Sequence, residues 1–527
     1  MPDPLFPSAL LEAFAASPGT VAFEHGPRRV TRGEVLDMIA RLAESLAGAG
    51  LGRGRGLAIA TAVSPEAFAA HMAAHALGCR VVGVRPGYPA AQLAHVLGSG
   101  ADALLVDRTT AGPVMTRAAG AVPLLSLGPC AGARDLLARG GAARQVAVAG
   151  RPGDVAALTF TSGSTGRPKG CAITYGALTA HWAWQPAVWS PVAAELAAGF
   201  ERYLLFGTLA SMVVFEFLGP CLLGGGTAVI PEDDGRPLFP DALRRHRITG
   251  SIITVPRLYG MLAALRGGAG GDLDLRALMV SGSPIGPHRL AEAADRLGPV
   301  VYQGYGQTEA GSISVLTPAD IAAGAPGVLA SVGRPHPGVE ISVRDERGAE
   351  VADGVTGEIH VRSPYLMAGY WRRPEETREA LRDGWLRTRD LGHRGRDGLL
   401  HLSGRTRDVI MVNAMVVYAG PIERALAAHR EVGEAHVVGA PDERTGEAVH
   451  AFVVPAAGAA GPAADQGAAR GAVLAPRLAA ELAELVRAEL GEDSVPRTIT
   501  IVPGVPVAAS GKPDKHALLA RHAPRLL

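Results

Sequence analysis

Two rhythms of apolar and polar positions alternate through the N-terminal three quarters of the chain. Val35–Ala47 and Pro65–Ala76 place apolar residues at helical spacing, whereas Gly56–Ala62, Arg80–Val84 and Ala103–Val106 are short apolar runs that read as buried strands. Ser251–Val255, Ala277–Val280 and Val300–Tyr302 continue the strand series. Alternation of this kind predicts an α/β fold: a large N-terminal domain of layered, mostly parallel sheets with helices between them. From about Ser331 the texture changes. Val339–Val343 and Gly357–Val361 read as strands joined by turns such as Asp345-Glu346-Arg347-Gly348, which predicts a small β subdomain.

Tyr203–Ile230 is nearly free of charge, but Glu216, Pro220 and Gly224-Gly225-Gly226 break it into short pieces. A buried helix, a turn and a buried strand fit it better than a membrane span. Beyond residue 404 a second α+β unit is predicted, with strands at Val409–Val412, His436–Val438 and His450–Val454 and helices at Pro421–His429 and Leu478–Leu490. Ala456–Pro476, rich in Ala, Gly and Pro, reads as a surface loop or disordered insertion. The predicted organisation is residues 1–403, a hinge at 404–408, and a C-terminal domain over 409–527.

Length and charge limit what this assembly does. At 527 residues the chain exceeds a single core, and its formal net charge of +1 gives no electrostatic case for nucleic acid or an anionic membrane as partner. Cys79, Cys130, Cys171 and Cys221 have no metal or disulfide spacing and read as free thiols in a reducing cytoplasm. No signal peptide is evident. The sixteen histidines form no ligand pattern.

The chemistry concentrates in Thr159-Phe-Thr-Ser-Gly-Ser-Thr-Gly-Arg-Pro-Lys-Gly170, directly after an apolar strand. Glycines let backbone approach a ligand closely, and successive N–H groups with hydroxyls make an anion-binding nest. Arg167 and Lys169 add charge, so the loop suits a polyphosphate. The glycine-to-lysine spacing is not that of a Walker A loop.

This loop resembles the phosphate loop of the adenylate-forming ligases, the superfamily of acyl-CoA synthetases, luciferases and peptide-synthetase adenylation domains. Four further segments resemble that family's motifs in order: Tyr305-Gly306-Gln307-Thr308-Glu309; Trp385 to Gly392, with Thr388-Arg389-Asp390-Leu391-Gly392; Gly404-Arg405 with Asp408; and Ser510-Gly511-Lys512. The resemblance covers roughly residues 20–520 and implies that the C-terminal domain is mobile.

It also implies ATP and Mg²⁺ as cofactors, and roles for particular residues. Thr161, Ser162, Gly163, Ser164, Thr165, Gly166 and Lys169 would cradle phosphates. Thr308 would donate to the α-phosphate and Glu309 would bind the metal. Tyr305, with Gly306 giving it room, would stack near adenine in a pocket lined by Gln303, Gly282 and Ser283. Asp390 would accept from the ribose hydroxyls, partnered by Arg405. Lys512 would be the catalytic cation on the acid and the α-phosphate, and Arg407 the hinge. The acid pocket would be lined by Phe206, Ser211, Met212, Phe215, Tyr305 and Ser312, an apolar lining that suits an aromatic, heteroaromatic or medium-chain acid. Glu216, inside an apolar run, reads as a paired core carboxylate or else a substrate ligand, and Trp182, Trp184 and Trp189 as packing.

Five residues depart from the family pattern. Gly207 and Thr208 stand where many relatives have a histidine, Arg389 where a glycine is usual, Arg407 where the hinge residue is Asp or Lys, and Ala414 where a glycine borders the pantetheine tunnel. The expected acceptor is the thiol of CoA or of a carrier protein, with an amine giving an amide close behind because of Ala414 and the hinge. A silent regulatory homologue is the rival class; the complete set Thr165, Glu309, Asp390, Arg405 and Lys512 argues against it.

Overall fold

The computed structural model describes residues 4–85, 88–138, 146–161, 168–266, 272–283, 285–406, 409–412, 415–442, 445–456, 467–507 and 513–522. The elements that position the site are, in chain order, α1 (Pro65–Ala76), β1 (Val155–Thr161), β2 (Lys169–Thr174), β3 (Arg202–Leu204), α2 (Met212–Leu223), β4 (Gly250–Thr254), β5 (Ala277–Ser281), β6 (Val301–Gln307) and β7 (Gly311–Leu316). They are followed by β8 (Gly369–Tyr370), β9 (Trp385–Arg394), β10 (Leu400–Arg405) and α3 (Gly467–Leu490).

Two large sheets form the layers. In one, β8, β2 and β1 are followed by Arg80–Gly83, Gly56–Ala60, Ala103–Asp107, Leu124–Leu127 and Arg134–Asp135. In the other, Arg334–Pro335, β7 and β6 are followed by β5, β4, β3, Thr227–Ile230, Val21–His25 and Arg28–Thr31. The inner strands pair in parallel, and each sheet carries an antiparallel hairpin toward one edge, β1–β2 in the first and β6–β7 in the second. Buried faces on both sides explain why the parallel strands are continuous apolar runs.

Sequence signals set the element ends. Ser64 Oγ accepts from Ala67 N at 3.0 Å and Pro65 occupies the first turn, so α1 begins at the predicted residue. The nearly charge-free stretch resolves into β3, α2, a glycine turn and the strand Thr227–Ile230. A five-stranded antiparallel sheet containing Glu340–Arg344, Gly357–Arg362, β9 and β10 forms the β subdomain.

The C-terminal region has its own five-stranded sheet and its own core, including Ile410, Ile422, Leu426, Val449, Leu482 and Val486. Each such side chain contributes about 1.5–3 kcal/mol on burial. The helix predicted from Leu478 begins at Gly467, within the stretch read as a loop. Alanine is the strongest helix former, so an Ala-rich segment carries helical preference despite its low complexity. Among the described residues no helix is long and apolar enough to cross a membrane.

The large domain buries imidazoles in bulk. His71, His75, His181 and His336 are each 6% exposed or less. Burial lowers their pKa values to about 4, about 3, about 3 and about 4 respectively. The unfolded chain therefore binds more protons than the folded one between pH 6.5 and these values, and stability rises with pH across that window. Denaturant unfolding at pH 5 and pH 7 is expected to differ by about 2 kcal/mol for each buried histidine. His75→Leu should reduce that difference; an unchanged pH dependence would remove His75 from the account.

Candidate active site

The two edge hairpins carry the site. Thr161 and Lys169 are cross-strand partners at the end of β1–β2. Ser162, Gly163, Ser164, Thr165 and Gly166 lie between them, outside the described residues. Arg407, Ala414 and Lys512 also lie outside the described residues.

The second hairpin carries Gln303, Tyr305, Gly306 and Gln307 on β6, with Thr308 and Glu309 in its turn. Gly306 faces Ser312 across the hairpin, and a Cβ at Gly306 would collide with Gly311 O. The motif glycine is thus demanded by the close approach of its own hairpin.

Asp390 is the hub beneath this hairpin. It is 4% exposed. Its Oδ2 accepts from Tyr305 Oη at 2.6 Å and from Gln307 Nε2 at 2.5 Å, and its Oδ1 accepts from Arg405 Nε at 2.9 Å. Gln307 Nε2 also donates to Thr388 O at 3.0 Å. Thr388 Oγ1 donates to Ile359 O at 2.7 Å and accepts from Asp390 N at 3.0 Å. Burial and the adjacent carboxylate push the Tyr305 phenol well above its usual value, so it is a donor. Three donors on a carboxylate with about four lone-pair sites leave Oδ1 able to accept one more bond.

Arg389, beside the hub, has φ 60°, the left-handed region that a glycine enters freely. An L-residue there costs about 1–2 kcal/mol. Its guanidinium pairs with Glu379 at 2.6 Å, an exposed contact that offsets little of this.

The two hairpins meet through β8. Tyr370 pairs with Cys171 in the ladder, and its hydroxyl donates to Glu309 Oε1 at 3.0 Å. Met367 N donates to Glu309 O at 2.9 Å. Cys171 lies between Glu309 and Thr161, and burial, followed by the Glu309 charge, pushes its thiol far up, so it stays protonated. Lys169 pairs with Glu376, and its Nζ lies 5.2 Å from the Tyr370 ring centre. Its charge is thus shared with a carboxylate beside the loop.

Around β5 and β6, Gly282 has φ 104° and is followed by Ser283. Gln303 is 4% exposed, and its Oε1 is buried without a hydrogen-bond partner among the described residues. An orphaned acceptor there suits an amino donor such as that of adenine.

Of the residues expected to line the acid pocket, Ser211, Met212 and Phe215 lie at the start of α2 and Ser312 bonds to Glu216 on it, whereas Phe206 packs in a separate core cluster. Ser211 is the N-cap of α2, with no side-chain cap bond; Met212 begins the helix, and Phe215 is buried against Trp184 at 4.8 Å. Phe206 packs edge-on against Phe239, with Arg257 over its face at 4.6 Å. Ser312 Oγ donates to Glu216 Oε1 at 2.5 Å. Tyr370, Glu376, His181 and Tyr365 had no local signal in the sequence, because tertiary pairing alone brings them here.

Among the described residues no cluster of three or more His, Cys, Asp or Glu side chains could hold a metal ion. A single carboxylate at Glu309 fits the way Mg²⁺ binds, through one or two carboxylates plus phosphates and water.

Two family models match the chain: AMP-binding enzyme over residues 10–371, and AMP-binding enzyme C-terminal domain over residues 421–512. A medium/long-chain-fatty-acid–CoA ligase, FadD8, of Mycobacterium tuberculosis is 31% identical over 94% of this chain and 86% of its own length. A feruloyl-CoA synthase of an Amycolatopsis species is 32% identical over 94% of each chain. The solved structure of the amide bond synthetase McbA from Marinactinospora thermotolerans superposes with TM-score 0.83 at 34% identity, over 98% of this chain and all of that one. The fold is that of an AMP-forming ligase. The chain belongs to the AMP-binding enzyme family of adenylate-forming ligases.

Asp390→Ala leaves Tyr305 Oη without the carboxylate it donates to, takes one of two acceptors from Gln307 Nε2 and removes the partner of Arg405 Nε. The expected loss is about 3 kcal/mol in denaturant unfolding without any ligand. Arg389→Gly should stabilise by up to about 1 kcal/mol, since glycine relieves the positive φ. No change in the first variant, or a loss in the second, would contradict this account of the hub.

Proposed function

We propose that the protein activates a carboxylic acid with ATP and Mg²⁺ to an acyl-adenylate, then passes the acyl group to an acceptor. The observation that carries this reading is the convergence of the two edge hairpins, which sets Glu309 and Thr161, the residue at which the phosphate loop begins, against the same buried thiol, Cys171. In the first step a carboxylate oxygen bonds to the α-phosphorus, and the bond to pyrophosphate breaks with its electrons leaving on pyrophosphate. Charge grows on the phosphoryl oxygens, so the chain's task is positioning and electrostatic stabilisation.

In this reading the loop Thr161–Gly166 holds the phosphates. Lys169 joins them by exchanging Glu376 for a phosphate, and Thr308 donates to the α-phosphate. Glu309 would hold Mg²⁺, which supplies charge neutralisation when bound. Gln303, Tyr305, Gly306, Gly282 and Ser283 enclose the adenine, and the spare lone pair of Asp390 receives a ribose hydroxyl, with Arg405 fixing the carboxylate. Lys512 supplies the cation at the reacting carboxylate. The C-terminal domain closes over the large domain about Arg407. Phe206, Ser211, Met212, Phe215 and Ser312 receive the acid, whose apolar body is aromatic, heteroaromatic or of medium chain length.

The acceptor we propose is an amine. Its nitrogen attacks the acyl carbon, AMP departs, and an amide forms after proton loss. The full-length likeness to an amide bond synthetase supports this. So does the identity of residue 414, an alanine where the family pattern has a glycine bordering the pantetheine tunnel. A thiol acceptor is the second reading, supported by the two CoA-ligase relatives.

Pyrophosphate release over a panel of acids, with mass spectrometry of products given CoA or amines, tests both steps. Lys512→Ala should lower acid-dependent release by about 10²–10³-fold with ATP binding retained; wild-type activity would refute its role. Acyl-CoA formed rapidly by the wild type, and not improved by Ala414→Gly, would replace the amine with a thiol.

A further inference from the structure

One buried carboxyl beside the acid-binding region is not used by adenylation. Glu216 lies on α2 one turn after Met212, so the two share a helix face. Its side chain is 6% exposed. Ser312 Oγ donates to Oε1 at 2.5 Å, and Ser312 stands opposite Gly306 of the Tyr-Gly-Gln-Thr-Glu hairpin. His181 Nε2 lies 3.6 Å from the same oxygen. Ala183 N donates to His181 Nδ1 at 3.3 Å, which leaves the proton of the neutral ring on Nε2, facing Glu216. Tyr365 completes the wall: its ring centre is 4.6 Å from that of His181, and its hydroxyl donates to Ser312 O at 3.1 Å. The absence of a side chain at Gly311 lets His181 in, since a Cβ there would sit 3.1 Å from Nε2.

Both partners of Glu216 thus approach Oε1. Oε2 has no partner among the described residues, yet it is not among the fully enclosed orphan atoms. The neighbouring positions expected to line the pocket, Met212 and Phe215, are apolar. A packing role would not need a carboxyl. Burying one costs free energy that a hydrophobic side chain of similar volume would avoid.

We propose that Glu216, oriented by Ser312 and His181, is the specificity-determining group of the acyl pocket, and that through Oε2 it selects aryl carboxylic acids bearing a hydrogen-bonding heteroatom in the ring, remote from the carboxylate, over hydrocarbon acids of the same shape. The inference rests on the reading that this region receives the acid. Burial pushes the Glu216 pKa up to about 7, so near neutrality Oε2 offers a donor or an acceptor. Both ring N–H and ring nitrogen acceptor groups are therefore served. A site built around a buried polar group discriminates strongly against an analogue that leaves the group unpaired.

Three acids of matched shape test this: an indolyl, a quinolinyl and a naphthyl carboxylic acid, compared by kcat/KM for pyrophosphate release. The wild type should use at least one heteroaryl acid about 10²-fold better than the naphthyl acid. Glu216→Leu should reverse that order, a readout that a purely structural glutamate would not move. Glu216→Gln, which keeps the volume and a polar end, should keep a heteroaryl preference. Equal use of all three acids by the wild type overturns the proposal however the variants fold, and so does an equal fall for all three in Glu216→Leu. Release with no acid at all would instead be the failure of the adenylation reading.

Discussion

The buried carboxylate of Asp390 is the constraint around which the site is built. A charge at 4% exposure is tolerated only with donors in place, and here they come from separated segments: Tyr305 and Gln307 on β6, and Arg405 at the end of β10. Satisfying one group therefore fixes the strand that presents Thr308 and Glu309 against the strand that leads toward the C-terminal domain. The left-handed backbone at Arg389, immediately before Asp390, falls where β9 shifts register against Gly357–Arg362.

Polar joints recur wherever two elements must be registered. Tyr370 reaches from β8 to Glu309 and so sets one hairpin against the other. Ser312 and His181 set Glu216 on α2 against β7. Each joint buries groups whose charged forms are disfavoured, which keeps the imidazoles neutral and raises the Glu216 carboxyl. The apolar layers give the domain most of its stability, while these joints decide where its reactive edges lie.

The α/β class, the subdomain and most element positions were legible in the sequence, because each rests on local periodicity and on caps such as Ser64-Pro65. The Tyr305–Glu309 and Thr388–Asp390 motifs were legible too, since their chemistry is held in consecutive residues. Three features escaped. Tyr370 and His181 carry no local pattern and gain meaning only through pairing across sheets. Gly306 meets a demand besides room for Tyr305: its own hairpin leaves no space for a Cβ, which shows only once β6 and β7 pair. The helix start at Gly467 was masked by composition that resembles a linker but favours helix.

Adenylation is the claim from which the roles of both hairpins follow. A carboxylic acid labelled with heavy oxygen in its carboxylate, incubated with ATP, Mg²⁺ and an acceptor, tests it through the nucleotide product. The account predicts that one label atom appears in AMP and none in pyrophosphate, because the acid's oxygen bonds to the α-phosphorus and stays with it when the acyl group leaves. Unlabelled AMP, or ADP with labelled phosphate, would contradict it.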